Sequence, residues 1–342
     1  MSQETIEWLN TQCLIGFTDK RGKAWHYKES AQGTEPNHYP GAIPVEEIQR
    51  RLFNFTAQQV PVFVADPRPG FGYLEVPNKQ AIQASDDGSV FGVFSDGYLP
   101  HQYSEWLIDN VSTILDDDLG IGSALLLKNR GVAVVQVEVP ENFVTPDGVE
   151  FRPNLLAATS LNGTLATVYK RTVTVAVCDN TTEWALAEEG QEVRIRHSKY
   201  SGLRIGEARD TLALIFDQAD AFTAEVNRLC AVSVSEREWN QVLEALVPVP
   251  EEEGRSQTLA VNKRDQLKGL WASDPRVEPW GGTAFGVSQA FNTWNQHLKT
   301  VRGAHQVERT YTNALSGATG RDDAAVFAAL SGIKGFPVLV PA

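Results

Sequence analysis

"NLLAATSLNGTLATVYKRTVTVAV", residues 154–177, is the stretch on which the reading of the fold turns. Hydrophobic and β-branched residues line both sides of Asn162-Gly163. That pair is the strongest short hairpin signal in the chain, because tight hairpin turns need positive φ at their centre. Upstream, "SALLLKNRGVAVVQVEVP" (123–140) repeats the arrangement around an Asn-Arg-Gly turn. Earlier still, "PVFVA", "YLEVP", "AIQAS" and "SVFGVFS" are short, aromatic or β-branched, and broken by "DPRPGFG" and "DDG". A further strand, "EVRIRHS", occupies 192–198. Hairpin connections dominate, so the sheet is predicted to be mostly antiparallel.

Helical spacing surrounds this block. "IPVEEIQRRLF" (43–53) has Pro44 suited to a first turn, and "SEWLIDNVSTILDDD" (104–118) places Leu107, Val111 and Ile114 on one stripe behind Ser104 as N-cap. "EARDTLALIFDQADAFTAEVNRLC" (207–230) reads as one long helix, and "SERE" (235–238) is a capping box ahead of the next. "VPVPEEEGRS" (247–256) combines prolines, acids and a glycine, the composition of a linker. Three more helical segments follow it. Strands come first and helices after, so the fold class is α+β: a mostly antiparallel, hairpin-built sheet backed by long helices, with a helical C-terminal region. The division expected is an N-terminal turn-rich segment with one helix at 1–60, an α+β core at 61–247, a linker at 248–256 and helices at 257–342.

The 342 residues carry a net charge of −13, which argues against a protein that coats DNA through its overall charge. It leaves room for a local basic groove, because charges act over roughly 10 Å at physiological salt. No apolar run is long enough to span a membrane, and "MSQETIEWLNTQC" lacks the features of a signal peptide. Cys13, Cys178 and Cys230 are odd in number and far apart, so no disulfide framework is expected and the compartment is read as the cytoplasm.

Catalytic signatures are missing from the sequence. It contains no G-x-x-x-x-G-K-[ST], no H-E-x-x-H, no C-x-x-C pair and no G-x-S-x-G, and "GIGSAL" (120–125) lacks the third glycine of a dinucleotide fingerprint. No cofactor and no metal are expected, and no catalytic residue is assigned. "LDDDLG" (115–120) reads as a solvated helix end, since three consecutive acids diverge on a helix. Cys178 admits two readings. It is a thiol activated by His197 on the next predicted strand, or the buried end of the strand carrying Val173, Val175 and Val177, with Asn180 or Thr181 capping a helix "TTEWALAEEG". The second is favoured, since free cysteine is often buried and inert.

The basic residues form the more informative set. Lys128 and Arg130 share a turn, Lys170 and Arg171 lie mid-strand, and Arg194, Arg196, His197, Lys199 and Arg204 follow on a neighbouring segment. Arg194 and Arg196 share a strand face. Aligned with Lys170 or Lys128, they make a basic stripe, and Tyr169 and Tyr200 offer stacking surfaces for bases. The competing reading is an ordinary solvated face paired with Glu188, Glu189 and Glu192.

"LNGTLATVYKRTVTVAVCDNTTEWAL", followed by "VRIRHSKYSG" and "EARDTLAL", resembles the phage/plasmid-like proteins of unknown function, in their longer, actinobacteriophage-type members. That family shows a hairpin of the type SHDG, a strand end of the type VVCxNT and an RHT strand before a long helix. "SLNG" (160–163), "VCDNT" (177–181) and "RHS" (196–198) stand at those places, with Leu161-Asn162 replacing the family's His-Asp. The resemblance implies a host-cell setting and DNA transactions. The leading expectation is therefore a non-catalytic protein that binds or anneals single-stranded DNA, in DNA recombination, through the basic set above. The alternative is an interaction protein that modulates a host or defence factor without touching nucleic acid. A homo-oligomer is compatible with either.

Overall fold

The computed structural model describes residues 8–334, apart from 25–26, 69, 71, 113–118, 141, 176–179, 183–191, 199–200, 202–216, 301–308, 310–312 and 314–316. The chain divides into two compact units, one of residues 1–140, 155–171 and 192–214, the other of 141–154, 172–191 and 215–342. Antiparallel sheets and a helical C-terminal region make the fold α+β, as the hairpin signals imply.

The strands are β1 (Cys13–Ile15), β2 (Ala57–Ala65), β3 (Tyr73–Ala84), β4 (Val90–Ser95), β5 (Gly120–Leu127), β6 (Val132–Glu138), β7 (Phe143–Val144), β8 (Glu150–Ser160), β9 (Thr167–Val175), β10 (Asn180–Thr182) and β11 (Glu192–Ile195). The larger sheet runs β1-β5-β6-β8-β9-β10, with β7 also on β8 and β11 also on β9. β8 and β9, the opening stretch of the sequence analysis, contribute to both units.

In the first unit, every residue of β5 is buried, which is why this strand reads as a continuous apolar run. β5 and β6 pair from Leu127↔Val132 to Gly120↔Glu138, with a bulge between Ile121 and Ser123. Gly122 sits at that bulge because Glu138 lies across it: a Cβ there would coincide with the carboxylate. Glu138 is buried and accepts an ion-pairing hydrogen bond from Arg21. Leu14, Ile48, Leu107, Leu125, Val134 and Tyr169 belong to this unit's core.

β2, β3 and β4 form a separate three-stranded meander. Here "YLEVP" and "AIQAS" are not two strands but the two halves of β3. Asn78, at φ 58, makes a left-handed step and the strand continues through it. The predicted helix at 43–53 is present as α1 (Val45–Arg51), with Pro44 at its N-cap. The helix begins two residues earlier than an N-cap at Ser104 implies. Tyr103 is already helical, Ser104 lies inside α2 (Ser104–Asp109), and the turns there are wide, of π type.

The second unit contains α3 (Asp217–Cys230), α4 (Glu236–Leu246), α5 (Arg255–Ser273), α6 (Ala284–Thr293) and α7 (Ala318–Lys334). The capping box forms as read: Ser235 Oγ accepts from the Glu238 amide, and the Glu238 carboxylate accepts from the Ser235 amide at 2.8 Å. α6 is buried along its whole length, its apolar residues in one core with Phe151, Val173, Phe222, Trp239, Leu267 and Phe327. The predicted boundary at 248–256 is corrected by this core. The segment is largely exposed, but Trp239 before it and Trp271 after it stack at 4.8 Å, so it is a connection within one unit. The predicted helix cap at Asn180–Thr181 is also corrected. Asn180–Thr182 pairs antiparallel with Val173–Val175, so the chain turns back as a strand there. Cys178 lies outside the described residues.

Gly122→Ala forces the Glu138 carboxylate out of its place against Arg21. Overpacking of this kind costs about 1–3 kcal/mol. The melting temperature should fall, with secondary structure retained at room temperature, as followed by circular dichroism.

Candidate functional site

The first unit contains a column of stacked rings that no single sequence motif announces. Trp106 of α2 stacks on His101 at 3.7 Å between centroids, and His101 stacks on His197 at 4.1 Å. His197 stacks on Tyr98 at 5.1 Å, and Tyr98 stacks on Phe94 of β4 at 4.1 Å. Interplanar angles of 6° to 26° make it a near-parallel pile. The chain gathers these rings from β4, the turn after it, α2 and the segment just after β11. Gly163, at φ 71, gives the β8–β9 connection its left-handed step directly against Phe94, and Tyr98 Oη donates to the Ser160 carbonyl at 3.1 Å. The "SLNG" hairpin and the "RHS" segment, apart in sequence, thus meet the same column.

Two threonines link the two imidazoles. His101 Nδ1 is 2.6 Å from Thr167 Oγ1, which is 2.7 Å from Thr159 Oγ1, which is 3.2 Å from His197 Nε2. The other ring nitrogens, His101 Nε2 and His197 Nδ1, are buried with no hydrogen-bond partner. Burial brings His101 down to about 3, with the neighbouring His197 adding to the effect, and burial brings His197 down to about 4. Both rings are therefore neutral at neutral pH.

This arrangement is poorly suited to catalysis or metal binding. His101 is 2% exposed and out of reach of a substrate. Ring nitrogens bind metals in the ring plane, and two stacked planes 4.1 Å apart do not converge on one ion. Among the described residues, no cluster of three or more His, Cys, Asp or Glu is placed to hold a metal.

The expected basic stripe is only partly assembled. Arg194 and Arg196 are both exposed, while Val193 and Ile195, which alternate with them, are buried, so the two arginines share a face as predicted. β11 pairs with β9 from Ile195↔Thr167 to Glu192↔Lys170. Lys170 and Arg171, however, are each 7% exposed and Tyr169 is fully buried, so none of them presents a surface to a nucleic acid. The reason is their strand: β9 has neighbours on both edges and lies inside the sheet. Tyr169 Oη donates to the Trp106 carbonyl and accepts from Asn110 Nδ2 at 2.9 Å, a core role.

Lys128 is exposed at the β5–β6 turn. Arg130 beside it is engaged with Asp86 at 2.7 Å and Asp87 at 3.1 Å, and its guanidinium lies 4.3 Å from the Phe55 ring centre. This tie braces a turn in which Lys128, Asn129 and Arg130 all have positive φ. Lys199, Tyr200 and Arg204 lie outside the described residues. The aromatic partners that sequence reasoning missed are Phe94 and Tyr98, both half-buried at the column's outer end. Their only signal was the turn-rich "FSDGYLPH" ahead of a helix.

The neutral histidines make stability pH-dependent. Both folded-state values lie below the ~6.5 of an unfolded histidine, so the unfolded chain takes up protons first as pH falls. Their contribution is complete above about pH 7 and is lost progressively between about pH 6.5 and pH 3. The melting temperature should drop through that window, and His101→Phe with His197→Phe should flatten the drop. An equally steep drop in the double variant would place the titration elsewhere.

A family model described as a domain of unknown function, DUF932, matches residues 90–315, which include the whole ring column, the β8–β9 hairpin and the helices of the second unit through α6. No curated protein and no solved structure matches the chain. With about two thirds of its length inside that match, the chain belongs to the DUF932 family.

Proposed function

We propose that this chain is a non-catalytic single-stranded DNA-binding protein of a phage or mobile element, acting in strand binding or annealing. The observation that carries the reading is the pairing of exposed cations with accessible rings in the first unit. Arg196 is followed directly by His197, which stacks on the half-buried Tyr98 and, through it, on Phe94. Arg194 lies two residues away on the same face. Arginines meet phosphates through the backbone of a single strand, and half-exposed rings stack on any base, which gives affinity without sequence preference. Phe94 and Tyr98 take the stacking role first expected of Tyr169.

A second reading rests on a different observation. The end of the β2–β3 ribbon exposes Phe63 (53%), Val64, Tyr73 (76%) and Leu74, an apolar tip on an acidic chain. Exposed apolar clusters of this kind mark protein contacts. In that reading the chain modulates a host or defence protein, or meets a copy of itself, without nucleic acid.

A mobility-shift titration with oligothymidylate at several salt concentrations separates the two. Single-strand binding should weaken steeply with salt, and Arg194→Ala with Arg196→Ala should lower the salt slope by roughly 1.4 units, about 0.7 for each phosphate contact on a single strand. Tyr98→Ala should weaken binding by about 1–3 kcal/mol through lost stacking. Absence of retardation at low salt, with the melting temperature intact, would favour the protein-contact reading.

A further inference from the structure

The second unit holds two lysines whose placement calls for an anion. Lys263, on α5, has its Nζ 4.1 Å from the ring centre of Trp294 and 5.9 Å from that of Phe291. Lys299, just beyond the wide turn that continues α6, has its Nζ 5.8 Å from the same Trp294 ring. Sharing one ring as neighbour, the two ammoniums stand no more than ~10 Å apart, within about one Debye length at physiological salt. Among the described residues, neither forms an ion pair with a carboxylate. Other cations of this unit do: Arg228 pairs with Glu225, Arg276 with Asp274 and Lys334 with Glu238.

This pairing of like charges is unfavourable in the free chain. Burial holds Lys263 below the ordinary lysine value, and Lys299 pushes it lower, opposed only in part by Asp322. One lysine over an indole face is accounted for by cation–π attraction. Lys299, 5.8 Å from the centre of the same ring, brings a second positive charge there, and the attraction of one ring must then offset the repulsion between two ammoniums. Trp294 is fixed for the purpose: its Nε1 donates to Gln266 Oε1 at 2.8 Å, which orients the ring, and the residue is half-buried rather than sealed.

We propose that Lys263 and Lys299, held around Trp294, form a binding site for a phosphoryl group. Two point charges match the double charge of a phosphate monoester, of a pyrophosphate esterified at both ends or of two neighbouring phosphodiesters, and each ammonium brings three donors. A phosphate between them would offset the mutual repulsion of the two ammoniums. The site does not depend on Arg194 and Arg196, which belong to the other unit.

Isothermal titration of the full chain at low ionic strength, with inorganic pyrophosphate as probe, tests this. Saturable one-site binding is expected, weakened by roughly tenfold or more in Lys263→Met with Lys299→Met and restored by Lys263→Arg with Lys299→Arg. The Met variant loses two repelling charges, so its melting temperature without ligand should stay level or rise, which distinguishes lost binding from lost folding. Oligothymidylate, titrated into Arg194→Ala with Arg196→Ala, identifies the source of the phosphate. Residual binding that vanishes when both lysines are also changed assigns it to nucleic acid, whereas loss for pyrophosphate alone assigns it to a free phosphate or nucleotide. No saturable pyrophosphate binding, or binding unchanged in the Met variant, overturns the proposal.

Discussion

The stacking of His101 on His197 is the contact on which the first unit's site depends. Two imidazoles whose centres are 4.1 Å apart are tolerated only while both are neutral, and burial keeps them so. Their geometry fixes more than two side chains. His197 stands two residues beyond the end of β11, directly after the exposed Arg196. His101 anchors the start of α2 through Trp106. Tyr98 carries the column on to Phe94 and holds the hairpin connection through Ser160. Removing either ring would release several elements, not one.

The threonine bridge adds a constraint on protons. Three hydrogen bonds join His101, Thr167, Thr159 and His197, and two hydroxyls supply only two donors. If no hydroxyl proton is left without a partner, exactly one imidazole must donate. Followed along the chain of bonds, this puts both histidines in the same neutral tautomer, both Nδ1–H or both Nε2–H. In either state one orphaned N–H and one orphaned lone pair remain buried. An unsatisfied buried polar atom costs about 1–3 kcal/mol, so ring stacking and the apolar surroundings must outweigh it.

Much of the architecture was legible because local signals and tertiary structure agreed. The Asn-Arg-Gly and Asn-Gly turns, the capping box at Ser235 and the helical spacing of α5, α6 and α7 each rest on residues that act within a few positions of one another. The errors arose where a distant partner decides. Lys170 and Arg171 look like surface cations in sequence, yet β9 is an inner strand and buries them. Asn180–Thr182 has the chemistry of a helix cap, but pairing with β9 makes it a strand. Arg130 looked free for a ligand until Asp86 and Asp87, more than forty residues earlier, came beside it. The ring column was illegible for the same reason, since its members span Phe94 to His197 with no periodicity to join them.

Nitrogen-15 spectroscopy of the histidine side chains tests the central claim most directly. At pH 6, His101 and His197 should both appear as neutral imidazoles in one shared tautomer, with ring signals displaced by the stacked neighbours and no titration until well below pH 5. An imidazolium at either position at pH 6, or two freely titrating rings with ordinary shifts, would contradict the column as the organising contact of this unit.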